Sequence, residues 1–119
     1  MPFLHIQISG ARDAALAEAV AQRAVEITAR LLGKQPEHTA VAVDFVDASL
    51  WFIAGRPLRE SRARSFHWSV SITDETNTKA EKAAYLDAVH HTMHELLGEV
   101  AEPVYVHLAD LRASAYGFG

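Results

Sequence analysis

One residue of this chain offers a chemistry that no side chain supplies. Pro2 follows Met1 and precedes the alternating segment Phe3 to Ser9. Removal of Met1 before a small second residue leaves a free secondary amine, rigid, basic and fixed at the start of a strand. An α-amino group titrates at about 7.7–8.0 in peptides. A secondary amine is more basic, and an apolar pocket brings it down by disfavouring the charged form. A base near neutral pH suits proton abstraction beside a carbonyl. Taken alone, Pro2 reads first as a proline that starts a strand, so the amine chemistry needs support from the rest of the chain. Other polar groups offer less. His90 and His94 lie one helical turn apart with His91 between them, but HHTMHE is not the HExxH ligand motif, and the spacing predicts a solvated helix face and no metal. Asp44, Asp47 and Asp110 fall near strand ends, where they cap or turn the chain or orient a substrate. No Gly-rich phosphate loop and no nucleophile–base motif is recognisable.

The elements that position Pro2 follow from periodicity. Leu4, Ile6 and Ile8 alternate with His5, Gln7 and Ser9, which predicts a half-buried strand. Leu16, Val20, Ala24, Ile27 and Leu31 then form a helical stripe, with Gly33 as a helix stop. Val41, Val43 and Phe45 predict a second strand, and Trp51 to Ala54 a short apolar piece before Gly55-Arg56-Pro57. The pattern restarts at Trp68, Val70 and Ile72. Asp74 to Thr78 supplies helix-start residues, and Tyr85, Val89, Met93 and Leu96 make the next stripe. Leu96-Leu97-Gly98 repeats Leu31-Leu32-Gly33, Val104, Val106 and Leu108 predict a fourth strand, and Tyr116 to Gly119 echoes Phe52 to Gly55. The offset is about 64 residues each time, so a strand–helix–strand unit has been duplicated. Units at about 2–55 and 66–119, joined by an exposed basic connection at about 56–65, make one domain. Each unit is a right-handed crossover between parallel strands. The expected fold is α+β, a four-stranded mixed sheet with both helices on one face. The other sheet face, carrying His5, Ser69 and His107, is a candidate oligomer surface.

Composition narrows the function classes. With 119 residues the chain fits one core. A net charge of −4 argues against a nucleic-acid partner, which calls for a basic face. No run of about 20 apolar residues predicts a membrane span. MPFLHIQISG has neither the basic nor the apolar region of a signal peptide, which points to the cytoplasm. The absence of cysteine excludes disulfides and thiolate chemistry.

The whole chain resembles the tautomerase superfamily. Met-Pro at the start and two strand–helix–strand units fit its pattern. Ile6 to Arg12 (IQISGAR) resembles the 4-oxalocrotonate tautomerase branch, Gly33 to Val41 (GKQPEHTAV) and Val104 to Phe118 (VYVHLADLRASAYGF) the macrophage migration inhibitory factor branch, and Phe45 to Gly55 (FVDASLWFIAG) the cis-3-chloroacrylic acid dehalogenase branch. The resemblance implies a homotrimer with sites between subunits, Pro2 as acid–base, and no cofactor. It implies a keto–enol tautomerase acting on a small 2-oxo or enol acid. Arg12 becomes a carboxylate clamp or remains a first-turn arginine. Lys34 matches a lysine beside the proline, or simply favours a helix C-terminus. With Arg12 just after the first strand and Lys34 just before the second, both are expected at the mouth of one pocket. Phe52 is implied as a pocket wall with Trp51 behind it, and Tyr105 and His107 as lining the same pocket. His107 replaces an asparagine there, and is otherwise a trimer contact. The second arginine of the 4-oxalocrotonate branch falls at Ala42, and Thr73 to Asn77 lacks the arginines of the dehalogenases. Phe66 stands where the second unit would carry its proline, leaving one amine per chain. The alternatives are a proline-dependent hydratase, decarboxylase or dehalogenase of a three-carbon acid, a non-catalytic trimeric binding protein, and a regulatory βαβ domain in which Pro2 is incidental.

Overall fold

Alternation at Phe3 to Ser9 becomes strand β1 (Phe3–Ser9) in the computed structural model, which describes residues 1–119. Asp13 then starts helix α1 (Ala14–Leu32) by accepting the Leu16 backbone N–H at 3.0 Å, which satisfies one orphan donor of the first turn. Gly33 ends the helix at φ 68° and returns its N–H to the Ala29 carbonyl at 3.0 Å. Strand β2 (Ala40–Val46) follows, then a hairpin of two-residue strands, β3 (Phe52–Ile53) and β4 (Arg56–Pro57). Its turn holds Ala54 and Gly55 at positive φ. The second unit is β5 (Phe66–Thr73), α2 (Lys79–Leu97) and β6 (Tyr105–Leu111). A capping box starts α2: Thr78 Oγ1 accepts from the Glu81 N–H at 3.1 Å, and the Glu81 carboxylate accepts from the Thr78 N–H at 2.8 Å.

The sheet order is β2-β1-β5-β6. β1 and β2 are parallel, as are β5 and β6, and β1 meets β5 antiparallel. The two βαβ units are thus related by an approximate twofold through the centre of the sheet. Leu4, Ile6 and Ile8 from β1 and Phe66, Trp68, Val70 and Ile72 from β5 are buried against Val20, Ala24 and Ile27 of α1 and Tyr85, Val89 and Met93 of α2. Both helices therefore cover one face. Inside this core the Tyr85 hydroxyl accepts from Trp68 Nε1 at 3.2 Å and meets Thr28 Oγ1 at 3.0 Å. No helix is long and apolar enough to cross a membrane.

The connection between units is less free than its composition predicts. Arg59 and Arg62 are exposed, but Leu58 is buried and Arg64 donates from Nε to the Ser9 carbonyl at 3.2 Å. Gly10, at φ 119°, leaves space for that guanidinium: a Cβ there would lie 2.7 Å from an Arg64 nitrogen. The connection is pinned because it must turn the chain back beside the end of β1. The three histidines of α2 diverge: His90 lies edge-on to Phe66, His91 pairs with Glu95 at 2.7 Å and His94 is exposed.

Candidate active site

Pro2 is buried at the head of β1, and its carbonyl accepts the Ala40 N–H at 3.2 Å. Parallel pairing of β1 with β2 brings this about, since it sets Phe3 opposite Ala40. Beside Pro2 lies a pocket of about 290 Å³ walled by Phe3, His38, Ala40, Tyr116 and Phe118. The His38 ring stands edge-on to Phe118, centroids 4.9 Å apart. The Tyr116 hydroxyl is tied to Thr73 Oγ1 at 2.7 Å, which fixes the C-terminal segment across the ends of β1 and β5. While Met1 is attached, the Pro2 nitrogen is an amide. Removal of Met1 would place an amine at the edge of this pocket.

Lys34 stands just past the C-terminus of α1, at the same end of the sheet as Pro2. Its ammonium donates to Thr76 Oγ1 at 2.9 Å. Burial lowers its pKa, opposed by the charges of Glu81 and Asp110. It does not line the Pro2 pocket.

The other expected site residues lie at the opposite end. Arg12 is exposed just beyond the far end of β1. Trp51, Phe52 and Tyr105 wall a second cavity, of about 480 Å³, together with Gln7, Phe66 and His67. Phe52 is 57% and Tyr105 59% exposed, high for aromatic rings in one chain. From Pro2 to the level of Gln7 the strand rises about 17 Å. One chain therefore does not bring Pro2 and Lys34 together with Arg12, Trp51, Phe52 and Tyr105. The expectation that Arg12 and Lys34 share one pocket mouth fails within a chain for a geometric reason. In parallel strands the end of β1 and the start of β2 are at opposite edges.

His107 is exposed on the sheet face that the helices leave open. It shares that face with His5, Asp44 and His67. His67 Nε2 is 2.9 Å from His107 Nδ1, and His5 Nε2 is 2.5 Å from an Asp44 carboxylate oxygen. Burial first, then the nearby His107 and His5, keep the His67 pKa below the ordinary histidine value. The sequence reading missed His38 and Phe118 beside Pro2, although the echo between residues 116–119 and 52–55 marked the C-terminal segment. It also missed His67, which only the strand register connects to His107.

A four-stranded sheet built from two βαβ units, with both helices on one face, is a fold that can be compared with solved structures. No family model matches the sequence, and no curated protein matches it. Similar solved structures agree on the fold. A fused 4-OT symmetric trimer has a TM-score of 0.82 at 19% identity, over 97% of this chain and 89% of that one. A macrophage migration inhibitory factor homologue from Prochlorococcus marinus has a TM-score of 0.79 at 18% identity, over 98% and 95%. A protein solved after inactivation by 2-oxo-3-pentynoate reaches 0.84 at 16% identity, over 98% and 90%. At these identities the likeness is one of fold.

Proposed function

We propose that this chain is a cofactor-free keto–enol tautomerase of small 2-oxo or enol acids, with Pro2 as general acid–base after loss of Met1. The observation that carries this is the burial of Pro2 at a strand head, beside a pocket walled by Phe3, Ala40, Tyr116 and Phe118. Apolar side chains beside a secondary amine disfavour its charged form, and a neutral amine can take a proton from the enol oxygen or from carbon. The same proton is returned at the other end of the enol system, so neither metal nor organic cofactor is consumed.

A homotrimer completes the site. The 4-OT relative is a symmetric trimer, and the exposed Phe3, Phe52, Tyr105 and Phe118 of this chain supply apolar surface for such contacts. Pro2 of one copy then meets Arg12, Phe52, Tyr105 and His107 of the next. The Arg12 guanidinium offers a planar two-point grip on the substrate carboxylate, Phe52 and Trp51 exclude water, and donors from Tyr105 and His107 stabilise charge developing on the enol oxygen. Lys34, engaged with Thr76, serves the rim. The test is ultraviolet loss of enol phenylpyruvate, with intact mass before and after an electrophile that labels an N-terminal proline. Pro2→Ala is expected to remain folded and to lose about 10²-fold in rate. Equal rates for the variant and the parent, or full activity with Met1 retained, refute the reading.

A further inference from the structure

The open sheet face carries a pair of imidazoles that the reaction as written does not explain. His67 on β5 and His107 on β6 stand on diagonal positions, because His67 is paired with Tyr105 and Ser69 with His107. Their rings approach with centroids 5.0 Å apart at 68° and share one nitrogen–nitrogen contact, His67 Nε2 to His107 Nδ1, at 2.9 Å. That geometry leaves His107 Nε2 free and pointing away from the pair.

We infer that His67 is a positioning residue that holds His107 in the tautomer with its proton on Nε2, so that His107 offers an N–H donor to a substrate oxygen. This rests on the proposed assembly, in which His107 faces the Pro2 pocket of a neighbouring copy. The titratable groups around the pair are few. Tyr105 stacks on His107, with centroids 6.1 Å apart, and His5 approaches from β1. The one carboxylate on this face, Asp44, is already taken by His5. No carboxylate on this face is left to hold a charge on the pair, and burial together with the neighbouring imidazoles lowers the His67 pKa, which favours its neutral form. Two neutral rings in contact through nitrogen need one donor and one acceptor. If His67 donates from Nε2, both rings carry their proton on Nε2, the favoured form of a neutral imidazole. If His107 donates instead, both rings must move their proton to Nδ1. The first arrangement therefore wins, and the bond made by one nitrogen sets what the other presents. His107 then offers an N–H donor.

Two measurements on the full chain test this. At about pH 8, where neutral histidine predominates, ring-nitrogen resonances should show His107 protonated on Nε2. A nitrogen–nitrogen coupling should run across the bond from His67. A proton on His107 Nδ1, or no coupling, overturns the inference. In turnover of enol phenylpyruvate, His67→Phe should lower kcat/KM about tenfold, the scale of one hydrogen bond. His67→Gln, whose amide can donate from a similar place, should recover most of it. In a His107→Asn background His67→Phe should change kcat/KM by less than about twofold, because the partner is gone. An equal loss in both backgrounds would show a merely structural role. A parent protein that turns over no enol acid would remove the proposed function, while the resonances would still decide the tautomer.

Discussion

Mixing two inactive variants should restore activity if the site is shared between copies. Pro2→Ala replaces the rigid secondary amine with a primary one of low residual activity, but leaves the Phe52 and Tyr105 end intact. A second variant, Phe52→Ala with Tyr105→Phe, keeps the amine and spoils the other end. The two ends are about 17 Å apart along β1, so neither variant can repair itself. Two different ends that meet make a heterologous contact, which closes into a ring. In such a ring each site takes Pro2 from one copy and the aromatic wall from the next. If equal amounts of the two chains are unfolded together and refolded, half of the proline positions and half of the walls are intact. Random assembly then makes about one quarter of all sites wild-type. The enol phenylpyruvate assay should recover about a quarter of parental kcat with a parental KM. Mixing without refolding should give less until subunits exchange. Mixed trimers that are verified by native mass but show only the residual rates of the two variants would refute the shared site. So would a parent that keeps full activity at dilutions where it is monomeric.

Three further outcomes follow from particular contacts. Tyr85→Phe strands the Trp68 N–H and the Thr28 hydroxyl, costing about 1–3 kcal/mol, which a thermal melt would read as a fall of about 4 °C per kcal/mol. Burial raises the Tyr85 pKa, so its contribution is complete below about pH 10, the unfolded value, and is lost as pH rises through the folded one. Tyr85→Phe should flatten the alkaline limb of stability against pH. Gly10→Ala forces a positive φ on a residue with a Cβ and pushes it against Arg64, a loss of about 1–3 kcal/mol in denaturant midpoint terms. Arg12→Ala should raise KM for a monoacid enol more than Lys34→Ala does, because the Lys34 ammonium is already satisfied by Thr76. The reverse order in steady-state kinetics would place the carboxylate at the Pro2 end.

Much of this fold was legible because burial on one face imposes a period. Leu4, Ile6 and Ile8 could only alternate, and Leu31-Leu32-Gly33 could only end a helix. The repeated unit then dictated two parallel crossovers. Distances between units were not legible. Nothing in the spacing of Arg12 and Lys34 says that they lie at opposite edges until β1 and β2 are known to be parallel in register. Likewise the Arg64 contact with Ser9 joins residues 55 apart, and the His67–His107 contact depends on how α2 sets the register of β6. Trp51 to Ala54 shows in the sequence only as a short apolar piece, since the two-residue strands of the hairpin carry too little alternation to reveal it. His38 sits in a polar stretch and comes beside Pro2 only once β2 pairs with β1.

The duplication also explains why the two ends of the sheet differ. An offset of 64 residues carries Pro2 onto Phe66, Phe3 onto His67 and Tyr116 onto Phe52. The cavity at Phe66 and Phe52 is therefore the twin of the pocket at Pro2 and Tyr116, related by the approximate twofold between β1 and β5. A basic nitrogen at a strand head requires a chain terminus, because in mid-chain the nitrogen is an amide with no usable basicity. The second unit begins in mid-chain, so the backbone nitrogen at its strand head cannot act as a base whatever residue stands there. Freed from that role, the position is filled by Phe66, 1% exposed, which walls the larger cavity and packs into the core. In the proposed ring the twin ends become complementary: one brings the amine and the other the aromatic wall. A site assembled this way needs only one proline per chain, and each copy both catalyses and completes its neighbour.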